Sequence, residues 1–428
     1  MSLILVFYSQ NDLMKILQIN NCHFRRGGAD IVYINTGELL TNYGNDVSYF
    51  SVKNKFNIKT CYSKYFVNSV NYFPSSFLKR VIKVPRFFYS FEAARKLQNL
   101  LRNCRPDIAH VHLYKGGLTS SILWVLKKNK IPILVTLHDY GFIDPHNLLL
   151  DGNLNISEST INGSAFNCFF QRSNRNSYFL SLISTMEYLF HSIFFPFDKS
   201  FDSIIAVSLF SKFKHLESKK FNWSIDHLYN FSPLLDKNIV TFANKNSYLL
   251  FFGRLSKEKG VETLIDAISI LSSNVLLKIV GSGELEEKLK DIISKRKLSN
   301  IEMLGYKNGD ELYNLIKLSS FVVVPSKWYE NNPMTIIESY SFGVPVIGSR
   351  VGGIPEIIQE DITGFTFKMG DASDLARTIS KALNLTEKEY LEMTINARRF
   401  AQTNFSPQEH YEKLMKIYNK TILKYKKK

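Results

Sequence analysis

Trp328-Tyr329-Glu330-Asn331-Asn332-Pro333-Met334-Thr335-Ile336-Ile337-Glu338 follows an apolar run, Phe321 to Val324. The run reads as a buried strand, Pro325 to Asn332 as a loop at its carboxyl end, and Pro333 as the first helical residue, where its missing N–H costs nothing. Asn332 is then the natural N-cap. Glu330 falls at the mouth of that helix and Glu338 roughly 7.5 Å along its axis, so one ligand could touch both. A helix start offers free N–H groups and the positive end of a dipole to a phosphate, while carboxylates suit hydroxyl groups. A sugar nucleotide carries both. Two surface glutamates flanking an ordinary strand-to-helix turn would have the same spacing.

A second strand, Tyr248 to Phe252, delivers Gly253-Arg254-Leu255-Ser256-Lys257-Glu258-Lys259-Gly260 to the same kind of edge. Gly253 lets the backbone turn, and Gly260 marks the entry to a helix carrying Val261, Leu264, Ile265 and Ile268. Arg254 and Lys259 beside a helix start would neutralise a diphosphate, most strongly as it departs with added charge. Taken alone they read equally as solvated loop charges.

These residues together resemble the retaining glycosyltransferases of family 4. The resemblance rests on Gly253, Arg254, Leu255, Lys259 and Gly260, on the Glu-x7-Glu pair Glu330 and Glu338, and on Gly343-Val344-Pro345-Val346-Ile347 and Gly352-Gly353-Ile354-Pro355-Glu356. It covers roughly residues 14 to 410 and implies a GT-B fold. It further implies that Arg254 and Lys259 bind the donor diphosphate, Glu338 the ribose hydroxyls and Glu330 a hydroxyl of the transferred sugar. Asn332, Pro333, Met334 and Thr335 at the helix start join the donor-binding set. Which sugar is transferred is not encoded in these motifs.

The first half contributes Arg25-Arg26-Gly27-Gly28-Ala29 after its first strand, where Gly27 and Gly28 permit close backbone approach to a phosphate or form a plain tight turn. By the resemblance this loop sits beside the donor phosphates and the acceptor. Gly281, in Gly281-Ser282-Gly283, opens a similar turn that would border the nucleotide. His110, His112 and His138 gather at strand ends, where a histidine is often only structural. His138-Asp139-Tyr140 matches a family motif whose histidine faces the transferred sugar, so His138 takes that role, with His112 on the acceptor side and Asp139 either orienting His138 or meeting the acceptor. No Asp-x-Asp pair occurs, so no metal site is expected, no cofactor beyond the nucleotide-sugar substrate, and metal-independent activity.

The 428 residues exceed one compact core, and 45% apolar composition permits two. Strand and helix signals alternate in both halves, which indicates α/β architecture: two Rossmann-like domains facing each other across a cleft. The first half reads as strands at 15–20, 46–50, 108–112, 133–137 and 204–207. The second reads as strands at 248–252, 276–280, 301–304, 321–324, 345–347 and 364–367. An acceptor-binding domain at 14–235, a linker across 230–247, a donor-binding domain at 240–405 and a C-terminal helix at 406–428 returning to the first domain are expected. Four cysteines lack metal or redox spacing, which fits a reducing cytoplasm. Ser2 to Tyr8 lacks a basic leader and fails as a signal peptide, and Met14 reads as a better chain start than Met1.

The net charge of +16 calls for an anionic partner. Nucleic-acid signatures are absent, so no nucleic acid is expected. Phe77 to Arg105 interleaves eight cations with aromatics and could lie on an anionic membrane, or form an ordinary amphipathic helix. Tyr178 to Phe197 is the most apolar window, but Glu187 and His191 inside it argue against a span. A surface contact through Phe190, Phe194, Phe195 and Phe197 is the alternative to a buried helix there. The sequence thus reads as a cytoplasmic glycosyltransferase, peripheral on the inner face of the plasma membrane. It would move a hexosyl or N-acetylhexosaminyl group from a nucleotide-diphosphate donor to a lipid-linked or polysaccharide acceptor in cell-surface glycan synthesis. A sugar-nucleotide epimerase of the same fold and a noncatalytic nucleotide-sugar- or membrane-binding subunit are the rivals.

Overall fold

The computed structural model describes residues 13–69, 85–219, 224–236, 248–271 and 275–427. Two all-parallel, six-stranded sheets are present, which confirms the α/β reading. The first comprises β1 (Lys15–Ile19), β2 (Asp46–Phe50), β3 (Ile108–Val111), β4 (Ile133–Leu137), β5 (Ser203–Ala206) and β6 (Ile225–His227), in the order β2-β1-β3-β4-β5-β6. The second comprises β7 (Tyr248–Phe252), β8 (Leu277–Val280), β9 (Ile301–Met303), β10 (Ser319–Val324), β11 (Val346–Ser349) and β12 (Gly364–Phe367), in the order β12-β11-β10-β7-β8-β9. Strands such as Ile133–Leu137 are buried at every position because helices cover both faces of a parallel sheet.

Each order reverses at one place. In the first sheet the chain leaves β1 toward β2 and then returns to β3 on the other side, and in the second β7 leads to β8 while β10 lies on its opposite flank. Such reversals open a crevice outside the carboxyl ends of the two strands involved. The loops at those ends are therefore fixed by topology: residues 20–27 after β1 and 112–120 after β3, residues 253–260 after β7 and 325–333 after β10.

The helix Pro407–Lys426 crosses from the second domain to the first, started by Ser406, whose hydroxyl accepts from the Glu409 N–H. It buries Leu414, Ile417 and Tyr418 against Met14, Ile16, Leu40, Ile108, Leu134 and Ile205. Tyr411 stacks on Tyr43 at 3.9 Å, and Lys420 pairs with Asp226 at 2.9 Å. One face of the first sheet is thus closed by the far end of the chain.

One expectation needs correction. Tyr178–Phe194 is a helix, but Phe197 begins the next turn inside the core and Phe195 is half-buried, so they do not form a surface set with Phe194. The polypeptide turns inward at Pro196, which carries Phe197 against Phe142. In the basic aromatic stretch, Phe77, Lys79, Arg80 and Lys83 lie outside the described residues, as do most of the linker and residues 1–12. Of the rest, Phe91–Asn103 is an amphipathic helix with Ala93, Leu97, Leu100 and Leu101 buried, and Phe88 packs edge-on against Phe190. No described helix is long and apolar enough to cross a membrane.

Candidate active site

The loops after β7 and β10 meet at the reversal point of the second sheet. Gly260 has φ +69°, and a Cβ there would stand 1.9 Å from the Pro325 carbonyl oxygen, so the two loops touch only because this residue is glycine. Gly281 holds a similar place beneath the site, where a Cβ would stand 1.9 Å from the Gly253 carbonyl oxygen. The contact brings Lys259 Nζ within 2.6 Å of Glu330 Oε1, which also accepts from Ser326 Oγ at 2.7 Å. Burial pushes the Glu330 carboxyl up, but the Lys259 charge and the hydrogen bonds from Lys259, Ser326 and Trp328 outweigh it and hold it below its ordinary value. Lys259 also lies 5.2 Å over the Trp328 ring. Arg254 is different: its side chain is 66% exposed, its nearest carboxylate being Glu258 at 3.9 Å.

The helix start is one residue later than the spacing predicts. The helix is Met334–Ser341 and Pro333 is its N-cap, with φ −66° and ψ 119°. Asn332 does not cap because its side chain is already engaged: its Oδ1 accepts from the Asn230 N–H at 2.8 Å, and its carbonyl accepts from Asn230 Nδ2. A proline cap has no side-chain acceptor, so the N–H groups of Met334 and Thr335 have no acceptor among the described residues. They are open donors at a helix end whose first residue, Met334, lies opposite Gly28. One turn further in, burial pushes the Glu338 carboxyl up to about 7, opposed by the charge of Arg25.

Gly27 and Gly28 stand across the cleft from this face. A Cβ on Gly27 would come within 3.9 Å of Arg254 Nη2, and one on Gly28 within 3.9 Å of Met334 Cγ. The glycine loop of one domain, the guanidinium and the free helix start of the other therefore surround one space.

The histidines form a chain. His112 Nδ1 is 2.8 Å from His138 Nε2, His112 Nε2 is 2.9 Å from Gln18 Oε1, and His110 Nδ1 is 2.7 Å from the Tyr418 hydroxyl. Burial holds all three imidazoles far below the ordinary histidine value, His138 at about 3, so each is neutral with one N–H. Gln18 Oε1 can only accept, so His112 carries its proton on Nε2 and accepts at Nδ1 from His138 Nε2–H. His138 is left with Nδ1 as a lone-pair acceptor, and no described residue bonds it. The amide of Gln18 is held in turn by Tyr418, whose hydroxyl accepts from Gln18 Nε2 at 3.3 Å. Asp139 does not orient His138: its Oδ1 accepts from the Gly141 N–H at 2.9 Å. Burial raises its carboxyl, with the Gly141 bond and Lys115 opposing.

Side chains from both domains lock this chain to the donor side. Asn331 Nδ2 donates to the His138 carbonyl at 2.8 Å, so the loop bearing Glu330 is tied to the strand end bearing His138. Glu356 crosses in the other direction: it accepts from the N–H groups of Leu209 and Phe210 at 2.8 and 3.0 Å and from the Tyr229 hydroxyl at 2.6 Å. Gln18, Arg25, Ser326, Asn331 and Tyr418 were not singled out by sequence reasoning. Only Gln18 carries a local signal, a polar residue inside the apolar strand Lys15–Ile19. Among the described residues no group of three His, Cys, Asp or Glu side chains could hold a metal ion.

The chain is similar to known proteins along nearly its whole length. Residues 26–230 match the model of glycosyltransferase family 4, and residues 235–400 that of glycosyl transferases group 1. An uncharacterized glycosyltransferase of Methanocaldococcus jannaschii, MJ1178, is 29% identical over 333 residues, 77% of this chain and 80% of that protein. The lipopolysaccharide 1,2-N-acetylglucosaminetransferase of Salmonella typhimurium is 28% identical over 179 residues, 39% of this chain and 46% of that enzyme. Anabaena Alr3699/HepE, solved in complex with UDP and glucose, shares the fold with a TM-score of 0.67 at 16% identity, covering 95% of this chain and all of that one. Two reversed parallel sheets, the charged loops at their crevice and both family matches agree: this chain is a glycosyltransferase of the GT-B fold and belongs to the group 1, family 4 glycosyltransferases.

Proposed function

We propose that the enzyme transfers a hexosyl or N-acetylhexosaminyl group from a nucleotide-diphosphate donor to a lipid-linked or polysaccharide acceptor in cell-surface glycan synthesis, at an anionic membrane surface on the cytoplasmic side. The observation that carries this reading is the convergence of Arg254, Lys259 and the free N–H groups of Met334 and Thr335 on one space, opposite Gly27 and Gly28. Those donors match a diphosphate, and Glu338 beside them matches the ribose hydroxyls. The UDP bound by the HepE protein and the lipopolysaccharide substrate named for the Salmonella enzyme support the same reading.

Lys259 has three N–H donors, so one can remain on Glu330 while another meets a phosphate oxygen. Glu330 and His138 Nδ1 then accept from hydroxyls of the transferred sugar and fix its anomeric carbon. Neither is placed as a nucleophile here, so departure and attack occur on the same face. The anomeric C–O bond to the diphosphate breaks, the acceptor oxygen bonds that carbon, and the departing phosphate oxygen takes the acceptor proton. Configuration is retained. Arg254, Lys259 and the helix start stabilise the charge that grows on the diphosphate.

Incubation with a panel of labelled nucleotide sugars, UDP-sugars first, tests the reading. Donor-specific binding with slow hydrolysis or transfer is expected. Binding of none of the panel would remove it.

A further inference from the structure

The helix Tyr178–Phe194 is built inside out. Its buried residues are polar or bear a polar group: Ser181, Ser184, Thr185, Glu187, Tyr188 and His191. Its solvent-facing side carries Phe179, Leu182, Met186, Ile193 and Phe194, with Ile193 and Phe194 67% and 66% exposed. The spacing of three, four and seven residues from Phe179 to Ile193 sets these side chains in one stripe along the helix. Phe170, 67% exposed on the preceding short helix, adds apolar surface near its start, where Phe169 touches both Phe170 and Tyr178. A contiguous apolar face of this kind on a folded domain calls for a partner.

Its surroundings choose among partners. Between Gly163 and Pro196 the only acid is Glu187, which is turned inward 3.4 Å from His191. The cations are Arg172, whose guanidinium lies over the Tyr178 ring at 5.5 Å, and the exposed Arg175. A second copy seated on this face would bring like charges together, and a protein partner would meet almost no hydrogen-bonding group along the stripe, where interfaces normally carry about one hydrogen bond per 100–200 Å². An anionic bilayer needs neither. Its acyl boundary takes the apolar side chains and its phosphates take the arginines.

The buried side of the same helix backs onto the acceptor side of the cleft. The Tyr188 hydroxyl donates to the Phe142 carbonyl at 3.1 Å. Lys115 donates to the Gly141 carbonyl while lying over the Tyr188 and Phe197 rings, so the helix packs directly on the segment that follows His138 and Asp139.

We propose that Tyr178–Phe194 lies flat in the headgroup region of an anionic lipid bilayer, with Leu182, Met186, Ile193 and Phe194 in the acyl boundary and Arg172 and Arg175 on lipid phosphates. This deepens the reading of a lipid-linked acceptor and rests on it for its purpose: it seats the mouth of the acceptor side at the depth where a lipid-anchored sugar would be presented.

The test is flotation of the full-length protein with vesicles of phosphatidylcholine alone or mixed with phosphatidylglycerol. Wild type should float with the anionic vesicles. The pair Ile193→Ser and Phe194→Ser should lower the bound fraction at least about tenfold, since each removes apolar surface from the boundary. Thermal unfolding should be unchanged, because both side chains are exposed. Arg172→Gln with Arg175→Gln should abolish the preference for anionic over neutral vesicles, and Trp124→Ser, an exposed apolar residue elsewhere, should change nothing. The inference is overturned if wild type stays soluble or if the Ile193/Phe194 variant floats like wild type. A lipid-independent dimer that this variant dissociates would overturn it too. Nucleotide-sugar binding measured on the same samples separates the two readings: flotation without donor binding sinks the donor assignment and leaves this one standing.

Discussion

Lys259 Nζ stands 2.6 Å from Glu330 Oε1, so the cation assigned to the diphosphate and the carboxylate assigned to the sugar hold each other before any donor arrives. The Glu330 side chain is 8% exposed and that of Lys259 25%, whereas Arg254 reaches into the cleft largely unpaired. The same pair therefore has a structural and a chemical task.

Lys259→Ala strips a buried carboxylate of its charged partner, leaving Ser326 and Trp328 to hold it. The loss should be about 2 kcal/mol, that of one charge-assisted hydrogen bond. Arg254→Ala should change stability by no more than about 0.5 kcal/mol, as exposed substitutions do. Urea unfolding of both variants checks the contrast; equal midpoints would mean that the Lys259 contact contributes nothing to the folded state.

Glu338 gives a pH dependence with a definite sign. Its folded-state value of about 7 lies above the ordinary 4.5, so the folded chain binds its proton more tightly than the unfolded chain. The stability this confers is full below about 4.5, is lost as pH rises through about 7, and is absent above. Glu338→Gln removes the titration. Relative to wild type it should gain stability between pH 5 and pH 8, on the order of 2 kcal/mol at most given the partial exposure of the side chain. Melting temperatures across that range test it, and parallel curves for the two proteins would contradict it.

Gln18 and Tyr418 set the proton on His138 without touching substrate. Nitrogen-15 correlation spectra of the wild-type imidazole should show His138 protonated at Nε2 and bare at Nδ1. Gln18→Leu removes the acceptor that fixes His112 and should mix the two His138 tautomers, with a five- to tenfold fall in kcat/KM for the donor, about one hydrogen bond. Unchanged spectra in that variant would mean that the ring is set by something other than Gln18.

Glu356 holds the N-terminus of the helix Leu209–Glu217 from the opposite domain. Glu356→Ala should cost about 1–2 kcal/mol, the range for a lost helix cap. It should also raise KM for the donor by loosening the cleft. Glu356→Gln, which keeps one acceptor oxygen, should restore part of both. An alanine variant with wild-type melting and KM would remove the bridge from the account.

The sheets were legible because their central strands are buried and read as runs rich in apolar residues. Asp46–Phe50, Ile133–Leu137, Tyr248–Phe252 and Gly364–Phe367 fall where the pattern puts them. Ile225–His227 was not legible: it is a three-residue edge strand with one apolar side chain. Local grammar also misjudged Asn332, since a cap preference cannot anticipate that Asn230 competes for the same oxygen. The Gln18–Tyr418 contact joins residues 400 apart, and no local pattern connects them. Motif spacing found the charges at the crevice, but the pairing of Lys259 with Glu330 emerged only once two loops were folded onto one another.

The most direct test measures turnover of Arg254→Ala and Lys259→Ala with the donor that wild type accepts, in excess chelator. The account predicts that wild type remains active there, because Arg254 and Lys259 supply the charge on the leaving diphosphate. Each variant should lose about two orders of magnitude or more, as removal of a transition-state charge partner commonly does. Wild-type turnover in either variant, or loss of wild-type activity in chelator with recovery on adding magnesium or manganese, would contradict it.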